Sequence, residues 1–133
     1  MKTMPLLSVL ALILIGFTNA GVAQENKPKE KQYEMKQYWM VFLKTGPHRD
    51  QDSVAAMKIQ EGHLANIGRL AELGKILVAG PFGDETDLRG IFIMDCKDEA
   101  EVKELCATDP AVKAGRLITE IHPWWTAKGG SFK

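Results

Sequence analysis

Four short runs rich in aromatic and β-branched residues are interrupted twice by stretches of helical period, and the order of these six segments leaves the chain few folds. The first run, Tyr38–Leu43 (YWMVFL), ends at Lys44-Thr45-Gly46-Pro47, as a buried strand closed by a turn should. A short charged loop, Gly46–Asp52, follows it. From Val54 to Leu73 the apolar residues Met57, Leu64, Ile67, Leu70 and Ala71 recur at spacings of three and four, which predicts a long amphipathic helix. Ser53 is placed to cap its start, and Gly74 stands where a left-handed cap closes a helix. Ile76–Ala79 is a short apolar strand stopped by Gly80-Pro81-Phe82-Gly83, and after the acidic loop Asp84–Asp87 comes a third strand, Gly90–Asp95. Asp98 and Glu101 have the spacing of a capping box for a second helix running to about Cys106. Thr108-Asp109-Pro110 breaks that helix, because the residue before a proline avoids the α region. Arg116–Ile121 alternates as a fourth strand, and His122-Pro123-Trp124-Trp125 closes the domain.

Strand, helix, strand, strand, helix, strand is the split βαβ order of an α+β, ferredoxin-like domain. It predicts a four-stranded antiparallel sheet with two helices on one face. The other face must then be polar, liganded or covered. The strands are apolar at nearly every position, Tyr38–Leu43 and Ile91–Met94 most clearly, so the reading expects a second copy of the chain on that face: a homodimer.

The segment ahead of this domain reads as a targeting signal. Lys2 gives a short basic start, Leu6–Phe17 is apolar, and small residues follow that allow cleavage after Ala20 or Ala23. An apolar run this short falls below the roughly 20 residues needed to span a bilayer core. The expected organisation is a signal over 1–23, a flexible polar lead-in over 24–37, the folded domain over 38–126 and a flexible tail over 127–133, in a protein exported to the periplasm or the medium. Cleavage leaves no membrane segment.

Lys plus Arg number 17 and Asp plus Glu 17. Removing Lys2 with the signal leaves 16 against 17, and the near-neutral balance argues against a nucleic-acid partner. Cys96 falls at a strand end and Cys106 about two turns into the next helix, too far apart for a disulfide, so two free thiols are expected.

His63 is the most informative polar residue. Its spacing from Ile67 and Leu70 puts the ring at the edge of the helix's apolar face, where it is either a satisfied structural group or a general acid or base. Asp109 before Pro110 has two readings as well: an N-cap with proline at N1, or a partner for the imidazole. His48, His63 and His122 match no metal-ligand spacing, and no phosphate loop, nucleophile elbow or dinucleotide fingerprint occurs, so neither metal nor cofactor is expected. Trp39, Trp124 and Trp125 either line an aromatic pocket or pack the sheet and an interface.

Glu61-Gly62-His63-Leu64, Leu73 through Pro81 (LGKILVAGP), Asp109 through Gly115 (DPAVKAG) and the closing Pro123-Trp124, in this order, resemble the YCII-related (YciI-like) domain family. The resemblance runs from Trp39 to Trp125. It implies a dimeric α+β barrel of ferredoxin-like subunits and a site that pairs the helix histidine, His63, with the aspartate of the DP motif, Asp109. One branch of the family is an aromatic-ring dehydrochlorinase using such a pair. Gln60-Glu61-Gly62 departs from the family's usual residues before the histidine, and an export signal is atypical of its cytosolic members.

On this reading the carboxylate of Asp109 orients His63, which takes a proton beside a carbonyl or enol. Substrate contacts fall to Gly80 and Pro81, with Gly83 nearby, and to Arg89 and Arg116, which would hold an acidic small molecule. Two functions are in view: a small-molecule lyase or isomerase, and a non-catalytic ligand-binding or assembly module that keeps the fold and the pocket.

Overall fold

The computed structural model describes residues 30–132, so the expected signal and residues 24–29 of the lead-in lie outside the described residues. Seven elements follow in order: β1 (Met35–Thr45), α1 (Ser53–Glu72), β2 (Ile76–Pro81), β3 (Leu88–Met94), α2 (Glu99–Cys106), the single turn α3 (Pro110–Lys113) and β4 (Leu117–Ala127). The sheet order is β2-β3-β1-β4, with every neighbouring pair antiparallel. This is the ferredoxin-like α+β fold that the segment order predicts.

Register decides which side chains meet. Residues paired across an antiparallel ladder share a face. Trp39 faces Met94, and Val41 faces Phe92 on one side and Ile121 on the other. These residues and Leu43 turn to the side where Leu70 of α1 and Val102 and Cys106 of α2 complete one core. Val41, Met94 and Val102 are fully buried, and each such side chain contributes about 1.5–3 kcal/mol relative to exposure. The opposite face carries Tyr38, Met40 and Phe42, flanked by Trp124, Ile93 and Ile91 in register.

The strands outrun the apolar runs that announce them. β1 starts at Met35, inside the expected lead-in, and reaches Thr45; β4 continues through His122-Pro123-Trp124-Trp125 to Ala127. Ladder hydrogen bonds need only backbone, so polar residues such as Lys36 and Gln37 pair as well as apolar ones, Lys36 opposite Thr126. Pro123 sits inside β4 without disrupting the sheet because β4 is an edge strand. The start of the tail is also held: the Lys128 amide donates to the Glu34 carbonyl at 2.8 Å and its Nζ pairs with the Glu34 carboxylate at 3.0 Å.

The caps are sharper than the sequence indicates. Asp52, not Ser53, caps α1, accepting the Ala55 amide at 2.8 Å from an extended backbone. Asp98 caps α2 through the Glu101 amide at 2.8 Å, while Glu101 reaches back to the Lys97 amide at 2.7 Å. Gly74 takes the left-handed conformation expected of it, with φ of 68°.

The buried stripe of α1 keeps Leu70, with Ile67 packed against the core, but otherwise departs from the apolar residues. Met57 and Leu64 are exposed, whereas the buried positions are His63, Asn66 and Leu70. Two polar residues belong to the inner face because their polar atoms find partners there. Asn66 Oδ1 accepts from Arg69 at 2.8 Å and from the Thr108 hydroxyl at 3.1 Å.

Candidate active site

α1 carries His63 inward toward the N-terminus of α3. Gly62 is what lets the two elements approach: a Cβ there would stand 3.0 Å from Cγ of Pro110, the first residue of α3. At that close approach His63 Nδ1 lies 2.6 Å from Asp109 Oδ2. The aspartate is 1% exposed, and its other oxygen, Oδ1, accepts the Ala111 amide at 2.8 Å as the N-cap of α3. With Asp109 as a carboxylate its oxygens only accept, so a neutral imidazole donates through Nδ1 and keeps its lone pair on Nε2. That nitrogen has no hydrogen-bond partner among the described residues.

The ring forms part of the wall of a cavity of about 360 Å³, within the range of small-molecule sites. Phe92 lies nearly parallel to the imidazole, ring centroids 6.3 Å apart at 26°, and Leu43, Leu64, Ile67 and Leu117 add further apolar wall. Gly80 and Pro81 of β2, Arg89 of β3 and Arg116 before β4 line the same cavity, so the residues named from sequence converge, with Asp109 directly behind His63. Gly83 does not line it, and Gly80 sits in the ladder opposite Ile91.

Sequence reading misses Arg49 and Gln60, which also line the cavity. Arg49 belongs to the loop between β1 and α1, and nothing periodic marks such a position. The loop is stitched to the turn before β4. Gly46 and His48 donate their amides to the carbonyls of Arg116 and Gly115 at 2.8 and 3.0 Å, and Arg49 Nη1 donates to the Arg116 carbonyl at 3.1 Å. Arg116 Nη1 in turn donates to Gln51 Oε1 at 2.7 Å. Two glycines permit this stitching: a Cβ on Gly46 would overlap the Gly115 carbonyl, and Gly115 has φ of 69° with the His48 ring packed against it.

The remaining reactive residues stand apart. His48 packs on Gly115, and His122 Nε2 pairs with Glu120 at 2.8 Å on the open face of the sheet, so the three histidines are separated. Among the described residues no three His, Cys, Asp or Glu side chains gather as a metal site would require. Cys96 and Cys106 are both free thiols; burial pushes them up to about 11 and about 12, which keeps them from acting as nucleophiles near neutral pH. Trp39 belongs to the core, with its Nε1 donating to the Cys96 carbonyl at 3.2 Å, and none of the three tryptophans lines the His63 cavity.

A family profile described as the YCII-related domain matches residues 38–125, most of the folded part. The chain belongs to that family. Among solved structures, this YCII-related domain is similar to 5-chloro-2-hydroxyhydroquinone dehydrochlorinase from Burkholderia phenoliruptrix, solved in complex with 2,5-dihydroxybenzoquinone. The two are 27% identical, with a TM-score of 0.49 over 65% of this chain and 92% of the other. No curated protein matches the YCII-related domain described here.

Proposed function

We propose that this YCII-related domain is the folded part of an exported small-molecule lyase or isomerase, with His63 as its general base and Asp109 as the residue that orients it. The observation that carries the reading is the 2.6 Å contact between His63 Nδ1 and Asp109 Oδ2, made where the ring borders a cavity. The carboxylate fixes the proton on Nδ1 and leaves Nε2 basic toward the cavity. When Nε2 takes a proton from a carbon beside a carbonyl, the C–H electron pair stays on the substrate as an enolate, and the buried carboxylate stabilises the imidazolium. Returning that proton to a different carbon completes an isomerisation. Expulsion of a β-substituent by the enolate completes an elimination. Positioned acid–base catalysis of this kind contributes on the order of 10²–10⁴-fold.

Export is supported by Lys2, the apolar Leu6–Phe17 run and the small residues at Ala20 and Ala23. Homodimerisation is supported by the half-buried apolar face carrying Met40, Phe42, Ile91, Ile93 and Trp124.

The decisive experiment needs no known product. A panel of enolisable carbonyl compounds is incubated with the protein in D2O, and deuterium at the α-carbon is read by NMR. The expected result is incorporation by the wild type that disappears in His63→Ala, with the circular dichroism of the fold retained. Equal incorporation by the variant, or its unfolding, would leave His63 a structural group and favour the non-catalytic binding module.

A further inference from the structure

The cavity beside His63 has a charge that proton transfer alone does not use. Arg49, Arg89 and Arg116 all line it, brought from the loop before α1, the start of β3 and the turn before β4. Their hydrogen bonds go to neutral groups: Arg49 to the Arg116 carbonyl at 3.1 Å, Arg89 to the Thr86 carbonyl at 3.4 Å, and Arg116 to Gln51 Oε1 at 2.7 Å. Among the described residues no carboxylate lies within ion-pair distance of any of the three. Elsewhere cations do find acids: Lys36 pairs with Asp95, Lys44 with Glu120, Lys75 with Glu101 and Lys103 with Glu99. Burial, and then the nearby guanidiniums of Arg116 and Arg89, hold Arg49 below the ordinary arginine value, so the three groups sense one another. Gathering like charges is unfavourable unless an anion joins them.

The rest of the wall narrows the anion's chemistry. Leu64, Ile67, Phe92 and Leu117 add apolar surface to the same cavity. An inorganic oxyanion would satisfy the arginines and leave that surface bare. A molecule with a carboxylate at one end and an unsaturated or aromatic body would use both, since a planar guanidinium matches a carboxylate through paired N–H donors.

We propose that the cavity binds a small organic acid, its carboxylate held by Arg49, Arg89 and Arg116 and its apolar body lying along Phe92 and Leu117 within reach of His63. The proposal rests on the reading of His63 as a base for the reaction it implies, though binding of the acid can be measured without turnover. The arginines have a second effect in that reaction, because they stabilise the negative charge left on the substrate when Nε2 takes its proton.

Calorimetric titration of the protein with benzoate, benzamide and inorganic phosphate is the test. Benzoate is expected to bind at least tenfold, about 1.4 kcal/mol, more tightly than either of the others. Its affinity should fall as salt rises from about 0.01 M to about 0.1 M, as the screening length contracts from about 30 Å to about 10 Å. Arg49→Gln and Arg89→Gln should each weaken benzoate by about tenfold or more, as expected for one charge-assisted contact. Arg89 is the safer variant, because its only side-chain hydrogen bond among the described residues is the long one to Thr86. Benzamide or phosphate binding as well as benzoate, benzoate indifferent to both substitutions, or no benzoate binding up to about 10 mM, where a detectable ligand would release under roughly 3 kcal/mol, overturns the proposal. If benzoate follows the arginines while His63→Ala still exchanges deuterium, the acid site stands and the base assignment falls. The reverse pattern removes the acid site and leaves the base.

Discussion

The two oxygens of Asp109 face different parts of the molecule: Oδ1 accepts the Ala111 amide at 2.8 Å, and Oδ2 meets His63 at 2.6 Å. Asp109→Asn separates the two roles. Asparagine is as good an N-cap as aspartate, so the turn of α3 should survive, with the melting temperature within a few degrees of wild type. Toward His63, however, the new amide nitrogen would donate where the carboxylate accepts. The imidazole must then accept at Nδ1 and carry its proton on Nε2, the nitrogen proposed to act as base. Exchange activity should therefore drop on the order of 10²–10⁴-fold, and long-range 15N correlation of the His63 ring should report the switched tautomer. An active variant with an unchanged tautomer would refute this account. Reading the sequence, a helix cap and a site residue look like competing explanations of Asp-Pro. The fold satisfies both because a carboxylate has two oxygens and only one is needed for the cap.

α1 shows where periodicity misleads. Hydropathy assigns its inner face to Met57, Leu64, Ile67, Leu70 and Ala71; Leu70 is buried and Ile67 packs against the core, but Met57 and Leu64 are exposed, and the other buried positions are His63 and Asn66. The spacing puts His63 at the edge of that face but gives no sign of Asn66, whose polarity alone would turn it outward. His63 and Asn66 turn inward because Asp109, Arg69 and Thr108 meet their polar atoms, and those partners are 46, 3 and 42 residues away in the chain. The existence and length of the helix were legible; its rotation was legible only at Ile67 and Leu70. The loop that supplies Arg49 carried even less signal, since its place beside Arg116 comes from backbone hydrogen bonds between segments far apart in sequence. Gly115→Ala tests that suture. A non-glycine residue at φ of 69° costs about 1–2 kcal/mol, and its Cβ would also press on His48, 2.5 Å from Cδ2. The urea midpoint should fall by an amount equivalent to about 2 kcal/mol or more, with loss of benzoate binding as His48 moves and takes Arg49 with it. An unchanged midpoint would mean that the loop is not anchored there.

The topology as a whole was the most readable feature, because six segments in a fixed order admit few right-handed arrangements. The cavity was the least readable, because it draws on β1, α1, β2, β3, α3, β4 and the loops between them at once. Between these lies the open face of the sheet. Its apolar character was visible in strands that are apolar at nearly every position, and the structure adds that Tyr38, Met40 and Phe42 form one row with Ile93, Ile91 and Trp124 beside them. The protein recovered outside the cytosol, with its N-terminus at Gly21 or Gln24, should sediment as a dimer at micromolar concentration. Phe42→Lys should shift it toward monomer while leaving circular dichroism intact. A wild-type monomer under those conditions would remove the case for pairing.

Pro123 constrains any such assembly further. β4 is eleven residues long and has one free edge, which in another sequence would be a template for endless strand addition. A proline in its course leaves a gap in the row of amide donors, so an incoming strand cannot zip along the whole edge. Growth by joining at the β4 edge is thereby discouraged, so any pairing of copies of this chain would have to use another surface.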